Sequence, residues 1–249
     1  MSPKSPSLLA TLLLALGTPF APAQTAFTSG QPADLVLFQP DFDTRVSGSS
    51  ARRVFIPSGI AIDPTTNKLF VVDSGNNRIL RLPSVASITA NSGADAVFGQ
   101  TNFATSSNGL SQTQLSSPGG ITVDRFGRLW VADTGNNRVL MWEAASFRST
   151  GALADAVFGQ STFGTNVAST AATGMNGPHA VLVDGDDRLW VSEVNNHRIL
   201  RFDEISTKFN GTAANGVLGQ SLFTTNNFGT DSSSLRNPLG IALDANGRL

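Results

Sequence analysis

The sequence predicts an all-β fold, a β-propeller built from four-stranded antiparallel blades, and three observations support this prediction. Similar segments ("ADLVLFQPDF", "ADAVFGQTNF", "ADAVFGQSTF" and "ANGVLGQSLF") begin at spacings of 61, 60 and 60 residues. Each unit contains short runs rich in Val, Ile, Leu, Phe and Trp, separated by turn residues. A one-residue length difference falls in "DPTTNKL", between two apolar runs, which indicates a hairpin loop. Hairpins at this repeat length favour a propeller over a β-helix, whose coils are shorter.

The second unit shows the four predicted strands most clearly. Strand a is Gly120–Asp124, strand b is Leu129–Asp133, strand c is Arg138–Trp142 and strand d is Ala156–Gln160. Each run has the length and the β-branched or aromatic content typical of a strand. Extended to the whole chain, the pattern predicts an unpartnered outer strand at 33–42, blades at 57–103, 118–163 and 178–223, and the start of another blade at 238–249.

The second unit also resembles a known family. "PGGITVDRFGRLWVADTGNNRVLMW" is similar to an NHL repeat, and "NNHRIL" at Asn195–Leu200 places an Asn-His pair at the position that gives these repeats their name. The resemblance covers three complete units and the first strand of a fourth, and it implies a closed ring of about six blades. Because the fourth unit breaks off at "DANGRL", we expect this sequence to be an incomplete propeller that a longer chain would close.

The N-terminal residues have the pattern of an export signal. Lys4 precedes the apolar run "LLATLLLAL", and "APA" at Ala21–Ala23 is typical of a signal-peptidase site. The run is much shorter than the ~20 apolar residues that span a bilayer. The sequence therefore predicts a signal peptide at 1–23, cleavage before Gln24, a mature propeller at 24–249 in the periplasm or outside the cell, and no membrane attachment after cleavage.

Composition excludes several classes of function. The formal net charge is −1, so the chain lacks the basic excess that binds a phosphate backbone, and we expect no nucleic acid partner. The chain has no cysteine, which excludes disulfides, thiolate metal sites and a cysteine nucleophile. Only 14% of the residues are charged, a composition that suits a turn-rich β protein.

The repeated turn D-x-G-N-N-R is predicted to be structural, because a catalytic residue is needed once and this set recurs in every blade. Gly75 and Gly135 are predicted to adopt positive φ, and Asn195 replaces them in the third unit. The acid and the arginine can pair within a blade or with a neighbouring one. The repeat motif comprises Asp73, Asn76, Arg78, Asp133, Asn136, Arg138, Glu193, Asn196 and Arg198. The aspartates that end the a strands are interpreted as turn residues on the opposite face: Asp63, Asp124, Asp184 and Asp244.

One face of the predicted propeller is the better candidate for binding. The connections from strand d to the next strand a, such as Thr101–Pro118, are 18 residues long and rich in Ser, Thr, Asn and Gly. Strand order places them beside the D-x-G-N-N-R turns, and long loops on a rigid scaffold often carry binding sites. We expect a binding scaffold with a protein, peptide or glycan ligand that the sequence does not identify, and no catalytic residue.

Residues that break the repeat are the candidate ligand contacts. His179 begins a strand a, where the fold directs it to the central channel, and His197 replaces the repeated asparagine in the turn of the same unit. We group them with Glu193 and Asn196 as candidate binding residues. "GPHAVLVD" is also similar to the Pro-His strand starts of NHL-like propeller lyases, including the peptide-amidating lyase. That resemblance implies an alternative, a metal-dependent lyase or lactone hydrolase.

The alternative enzyme would need a metal site that this sequence does not complete. The chain contains two histidines, too few for a three-histidine zinc site. No cofactor is evident, and Ca²⁺ or Zn²⁺ could bind only if further blades supplied ligands beside His179.

Overall fold

The apolar runs of the three complete units fold into three separate sheets. The computed structural model describes residues 29–90, 92–244 and 246–249, so the predicted signal peptide at 1–23 lies outside the described residues. Residues 35–249 form one unit, to which everything below refers. The strands among the described residues are β1 (Pro57–Ile62), β2 (Lys68–Asp73), β3 (Arg78–Ser84), β4 (Ala96–Phe98), β5 (Ile121–Val123), β6 (Leu129–Asp133), β7 (Arg138–Trp142), β8 (Ala156–Phe158), β9 (Pro178–Val183), β10 (Leu189–Glu193), β11 (Arg198–Phe202) and β12 (Gly216–Leu218).

Each sheet is a four-stranded antiparallel meander in chain order. The sheets are β1–β2–β3–β4, β5–β6–β7–β8 and β9–β10–β11–β12, which confirms the predicted all-β fold of four-stranded blades. Strands b and c of the second unit have the predicted bounds. Strand d ends at Phe158, two residues earlier than predicted, because Gly159 has φ +81° and turns the chain away from the ladder.

Residues 33–42 do not form the predicted outer strand. A d strand pairs with the c strand of its own blade, and every c strand among the described residues already has its d strand. The segment nevertheless follows the repeat, because Phe38 has φ +66° where Gly99 has +82°. Gln39 also bonds to both backbone groups of Val46, at 3.1 and 3.2 Å, as Gln160 does to those of Val167.

The start of the fourth unit is likewise not a strand. Residues 238–244 form no ladder, because strand a pairs with strand b and every b strand among the described residues already has its a strand. The turn after this segment does follow the repeat. Asp244 accepts hydrogen bonds from the backbone N–H and the guanidinium of Arg248, as Asp124 does from Arg128.

The core lies between consecutive sheets. Phe98 on β4 packs edge-on against Trp142 on β7, with 5.7 Å between ring centroids, and Phe158 on β8 packs in the same way on Phe202 of β11, at 5.4 Å. All four side chains are buried. Each fully buried aromatic side chain contributes roughly 1.5–3 kcal/mol, so stacking of neighbouring blades stabilises the fold.

The first strands of successive sheets lie side by side and define the inner edge of the blades. Gly120 donates its N–H to the carbonyl of His179, at 2.7 Å, and a Cβ added at Gly120 would lie 2.7 Å from the same oxygen. Glycine is therefore required for this close approach of two backbones. Within the part of the chain that the structure describes, no helix has the length and apolar character of a bilayer span.

Candidate binding face

The acid and the arginine of each repeated turn form an ion pair that is closed off from solvent. Asp133 and Arg138 face each other across the β6–β7 hairpin, with 2.7 Å between Oδ2 and Nε, and neither side chain is exposed. Asp73–Arg78 and Glu193–Arg198 form the same pair in the other two sheets. The pairing is thus within each blade, one of the two arrangements that the sequence left open.

The same arginine fastens two long loops. The guanidinium of Arg138 donates to the carbonyls of Ser111 and Gln114, at 2.9 and 3.0 Å, in the loop before its blade. It also donates to the carbonyl of Phe163, in the loop after its blade. Arg78 bonds in this way to Ser49, Ser50, Arg53 and Phe103, and Arg198 to Thr170, Ala171, Gly174 and Phe223.

The asparagine and the carboxylate complete the fastening. Asn136 Nδ2 donates to Asp133 Oδ2, at 2.8 Å, and to the carbonyl of Gly109, at 2.9 Å. Asp133 Oδ1 accepts the backbone N–H of Ser116, at 2.7 Å. The loop is therefore held at several points by groups whose partners are backbone atoms. This role was not predicted from the sequence, because the loop residues contribute carbonyls that leave no signature in their side chains.

Burial dominates the electrostatics of these carboxylates. Desolvation raises the pKa of Asp133 and of Glu193, and the positive charges of Arg138 and Arg198 oppose the rise. Glu193 and Asn196 have no exposed surface. The expectation that these two residues contact a ligand is corrected for that reason, because a fully buried side chain has no atom to offer.

The glycines of the turn do not adopt the predicted positive φ. The left-handed residues are Asn77, Asn137 and His197, with φ of 53°, 52° and 51°. Glycine is needed at 135 because a Cβ there would lie 2.8 Å from the carbonyl oxygen of Ser116. Asparagine is among the residues that tolerate the left-handed region. The prediction from the sequence pattern therefore assigned the left-handed conformation to the wrong residue of the turn.

The third unit accommodates Asn195 by a second change. In the loop that the turn contacts, Gly177 stands where the second unit has Ser117; it has φ +64°, and a Cβ there would lie 2.7 Å from Asn195 Nδ2. The carbonyl of Gly177 accepts the N–H of Val194, at 3.0 Å, rather than that of residue 195. In the third unit, therefore, the glycine lies in the loop that the turn contacts and not in the turn itself.

His197 links one unit to the next. Its Nδ1 lies 3.2 Å from the backbone nitrogen of Asn237 and accepts that N–H. Asn77 and Asn137 use Oδ1 in the same way, accepting from Ser117 at 2.7 Å and Gly177 at 2.9 Å. The ring is half-buried and also packs edge-on against Phe228, at 5.4 Å.

His179 forms another link, at the inner edge. Its half-buried ring places Nδ1 2.9 Å from the carbonyl oxygen of Leu239. A carbonyl only accepts, so Nδ1 carries a proton, and in the neutral ring Nε2 carries a lone pair. Ser58 makes the equivalent bond to the carbonyl of Gly119, at 2.8 Å, and Thr134 reaches that of Pro178, at 2.6 Å.

The aspartates at the ends of the a strands stabilise turns on the opposite face. Asp124 accepts hydrogen bonds from Trp130 Nε1, at 2.9 Å, and from the guanidinium of Arg128. Arg128 also pairs with Asp187 of the next blade, at 2.6 Å. Asp184 repeats the arrangement of Asp124. No group of three or more His, Asp or Glu side chains suited to a metal occurs among the described residues.

Comparison with solved structures gives similarities at low sequence identity. Virginiamycin B lyase from Staphylococcus aureus is 21% identical, with a TM-score of 0.38, over 60% of this chain and 38% of that one. A chain of a nidogen/laminin complex is 20% identical, with a TM-score of 0.40, over 66% of this chain and 52% of that one. Hydrazine synthase from Kuenenia stuttgartiensis is 10% identical, with a TM-score of 0.49, over 83% of this chain and 43% of that one. The chain thus spans about two fifths to one half of the length of these proteins.

Comparison with curated protein sequences finds no match. The family profile of the NHL repeat matches residues 56–82 and 115–140, which overlap the first three strands of each of the first two blades. The third sheet repeats the same strand order, the same buried pair and the same loop fastening. The chain therefore contains two NHL repeats, and its three described sheets are four-stranded antiparallel blades of the β-propeller type.

Proposed function

We propose that this chain is a binding scaffold that recognises its ligand with the face that carries the long d-to-a loops. The observation that carries the proposal is the buried arginine of each turn, which fixes two loops through their backbone carbonyls. Loops held in this way lose little conformational entropy on binding, which favours affinity. Val167 and Phe228 extend into solvent from these loops, with exposures of 68% and 61%.

The proposal includes an exported location. Its support is the sequence pattern of residues 1–23, with a basic start, an apolar run and an A-x-A site. Extracellular and periplasmic proteins meet proteins, peptides and glycans as ligands. Fractionation of cells that express the full chain tests the location, and N-terminal sequencing of the exported form should begin at Gln24.

The binding face can be tested while its ligand is still unidentified. The chain is immobilised and exposed to pools of extracellular proteins, peptides and glycans, and each bound ligand is mapped by hydrogen exchange. We expect protection in residues 101–117 and 161–177. Protection confined to the c-to-d connections, such as residues 143–153, would refute the proposed face, and turnover of a ligand would refute a purely binding role.

A second candidate function is a metal-dependent lyase or lactone hydrolase, which the ring of His179 favours. Its Nδ1 is held by Leu239, so Nε2 is left with a lone pair that can ligate a metal or accept a proton. The described residues do not fit a metal site, because no group of three or more His, Asp or Glu suited to a metal occurs among them. His179 would be one ligand of a set that these residues do not supply.

Metal analysis separates the two candidates. Elemental analysis of the purified chain and of His179→Gln is combined with thermal unfolding with and without chelator. A stoichiometric metal that is lost in the variant supports the enzyme. Unchanged unfolding with chelator, together with a metal-free chain, supports the scaffold.

A further inference from the structure

Two surface depressions recur in the same register of the repeat. The first lies between the end of β8 and the loop that follows it, with a volume of about 430 Å³. The second lies between the end of β12 and the next loop, with a volume of about 280 Å³. Both are close in size to pockets that hold small ligands, which have volumes of about 300–1,000 Å³. Six lining positions are related by the 60-residue repeat: Gly159/Gly219, Gln160/Gln220, Ser161/Ser221, Val167/Asn227, Thr173/Ser233 and Gly174/Ser234.

Among the residues that the structure describes, the lining of both depressions contains no charged side chain. Hydroxyl and amide side chains dominate, and none of the described residues that line either depression is Asp, Glu, Lys or Arg. An anionic ligand would require cationic groups, and a divalent cation would require carboxylates. The hydroxyl and amide side chains offer hydrogen bonds to a neutral ligand, and the glycines and Val167 add apolar surface beside them. The lining therefore fits a neutral ligand that has both hydrogen-bonding groups and apolar faces.

The base of each depression is fixed before any ligand arrives. Gln160 Nε2 donates to the carbonyls of Asn137 and Val167, at 3.0 and 2.9 Å, and its Oε1 accepts the N–H of Val167, at 3.1 Å. Gln220 makes the matching bonds to His197 and Asn227, at 3.1 and 2.6 Å. Each glutamine thereby closes the first turn of a long loop, and the depression is preorganised.

Hydroxyl groups remain available at the rims. Within the described residues, Ser161 Oγ, Thr173 Oγ1 and Ser221 Oγ have no hydrogen-bond partner, and all three residues are exposed. A hydroxyl both donates and accepts. These groups can therefore bond to the hydroxyls of a sugar, which have the same dual character.

We propose that these depressions are carbohydrate sites, each taking a unit of a neutral polysaccharide, an inference that rests on the proposed binding function. A polymer fits these depressions better than a single sugar, because equivalent sites in consecutive blades present the same chemistry to a ligand that itself repeats. Two linked contacts strengthen binding through effective concentration. In the third blade the exposed ring of Phe228 follows Asn227 in the chain and packs against His197.

Calorimetry of the full chain with neutral malto-, cello-, laminari- and manno-oligosaccharides, and with the matching polymers, tests the proposal. We expect short oligosaccharides of one series to fill both of these depressions. Ser161→Trp and Ser221→Trp each place an indole in one depression and should leave one site, with the affinity for the polymer reduced about 100-fold. Thr173→Val removes a hydroxyl without adding bulk and should weaken the first site about fivefold.

Ser87→Trp is the matched control, since Ser87 is an exposed serine on the c-to-d connection of the first blade. It should bind as the unaltered chain does, and circular dichroism should show all variants folded. The inference is overturned if no neutral saccharide binds, if binding survives the double variant Ser161→Trp/Ser221→Trp, or if a peptide occupies the depressions instead. If the carbohydrate inference fails in one of these ways, a ligand mapped to the long loops by hydrogen exchange would still support the proposed binding face. Protection elsewhere would refute both the carbohydrate sites and the binding face.

Discussion

Asp133 and Arg138 lie 2.7 Å apart in a fully buried ion pair, and every hydrogen bond that the pair makes beyond itself holds the long loops or the asparagine beside it. The pair is therefore the centre of a network rather than an isolated contact. The positions of two loops, one hairpin and one asparagine depend on this pair. This explains why the pair recurs in each of the three described blades, although burying two charges costs desolvation free energy.

Removal of one partner should destabilise the chain strongly. Asp133→Ala leaves the guanidinium of Arg138 buried without its counter-charge, and breaking such a pair costs about 3–5 kcal/mol. We expect a loss of that size in the free energy of unfolding, measured by urea denaturation. The control is Asp155→Ala, which removes the half-exposed pair with Arg148 and should cost less than about 1 kcal/mol. Equal losses in the two variants would contradict a structural role for the buried pair.

Gly135 and Gly185 should respond differently to the same substitution. A Cβ at 135 would lie 2.8 Å from the backbone oxygen of Ser116, whereas a Cβ at 185 would have no atom within 4 Å. Gly135→Ala should therefore destabilise by about 1–3 kcal/mol, and Gly185→Ala should stay within about 0.5 kcal/mol of the original chain. Thermal unfolding of both variants checks this, and a neutral Gly135→Ala would show that the turn can move away from Ser116.

The repeat itself could be predicted from sequence, but its tertiary connections could not. Apolar runs, turn residues and a constant spacing determine local strands, so β6 and β7 were predicted residue by residue. The loop fastening depends on carbonyl groups some 25 residues from Arg138, and any residue supplies a carbonyl. Only the repeated glutamine of "VFGQ" could have indicated that the loop base is clamped.

The two segments that were predicted as strands but are not strands lack, within the described part of the chain, a neighbouring strand with which to form backbone hydrogen bonds. The segments at 33–42 and 238–244 have the residues of strands d and a, but no free strand among the described residues pairs with them. Strand propensity alone does not make a strand, since the backbone hydrogen bonds belong to the pair. The position of the left-handed residue was missed because Gly and Asn both tolerate that conformation.

Lowering the pH should weaken the ion pair between Arg128 and Asp187, which links the second and third blades. Burial alone would raise the pKa of Asp187, but hydrogen bonds from Arg128 and Ser206 outweigh it and lower the pKa. The folded state then binds fewer protons than the unfolded chain, so the contribution to stability is present above the ordinary aspartate pKa of about 3.9 and is lost as pH falls below it. Asp187→Asn should be less stable than the original chain at pH 6, and the difference should shrink towards pH 3 in urea titrations. A difference independent of pH would rule out this contribution.

His197 should protect the amide that links the third blade to the next unit. Its Nδ1 accepts the N–H of Asn237, at 3.2 Å, and a side chain without an acceptor would leave that amide without this partner. We expect His197→Ala to lower the protection of the Asn237 amide from hydrogen exchange, after correction for the intrinsic rate.

The same chain offers an internal control for His197 and a variant that restores the repeat. The amide of Gly177 bonds to Asn137 Oδ1, at 2.9 Å, so its protection should be the same in His197→Ala as in the original chain. His197→Asn puts the residue of the other two turns into the third, and an amide oxygen can accept the N–H of Asn237 in place of the ring nitrogen. The protection of Asn237 should therefore be retained in His197→Asn and lost in His197→Ala. If both variants lose it equally, the amide does not depend on an acceptor at position 197.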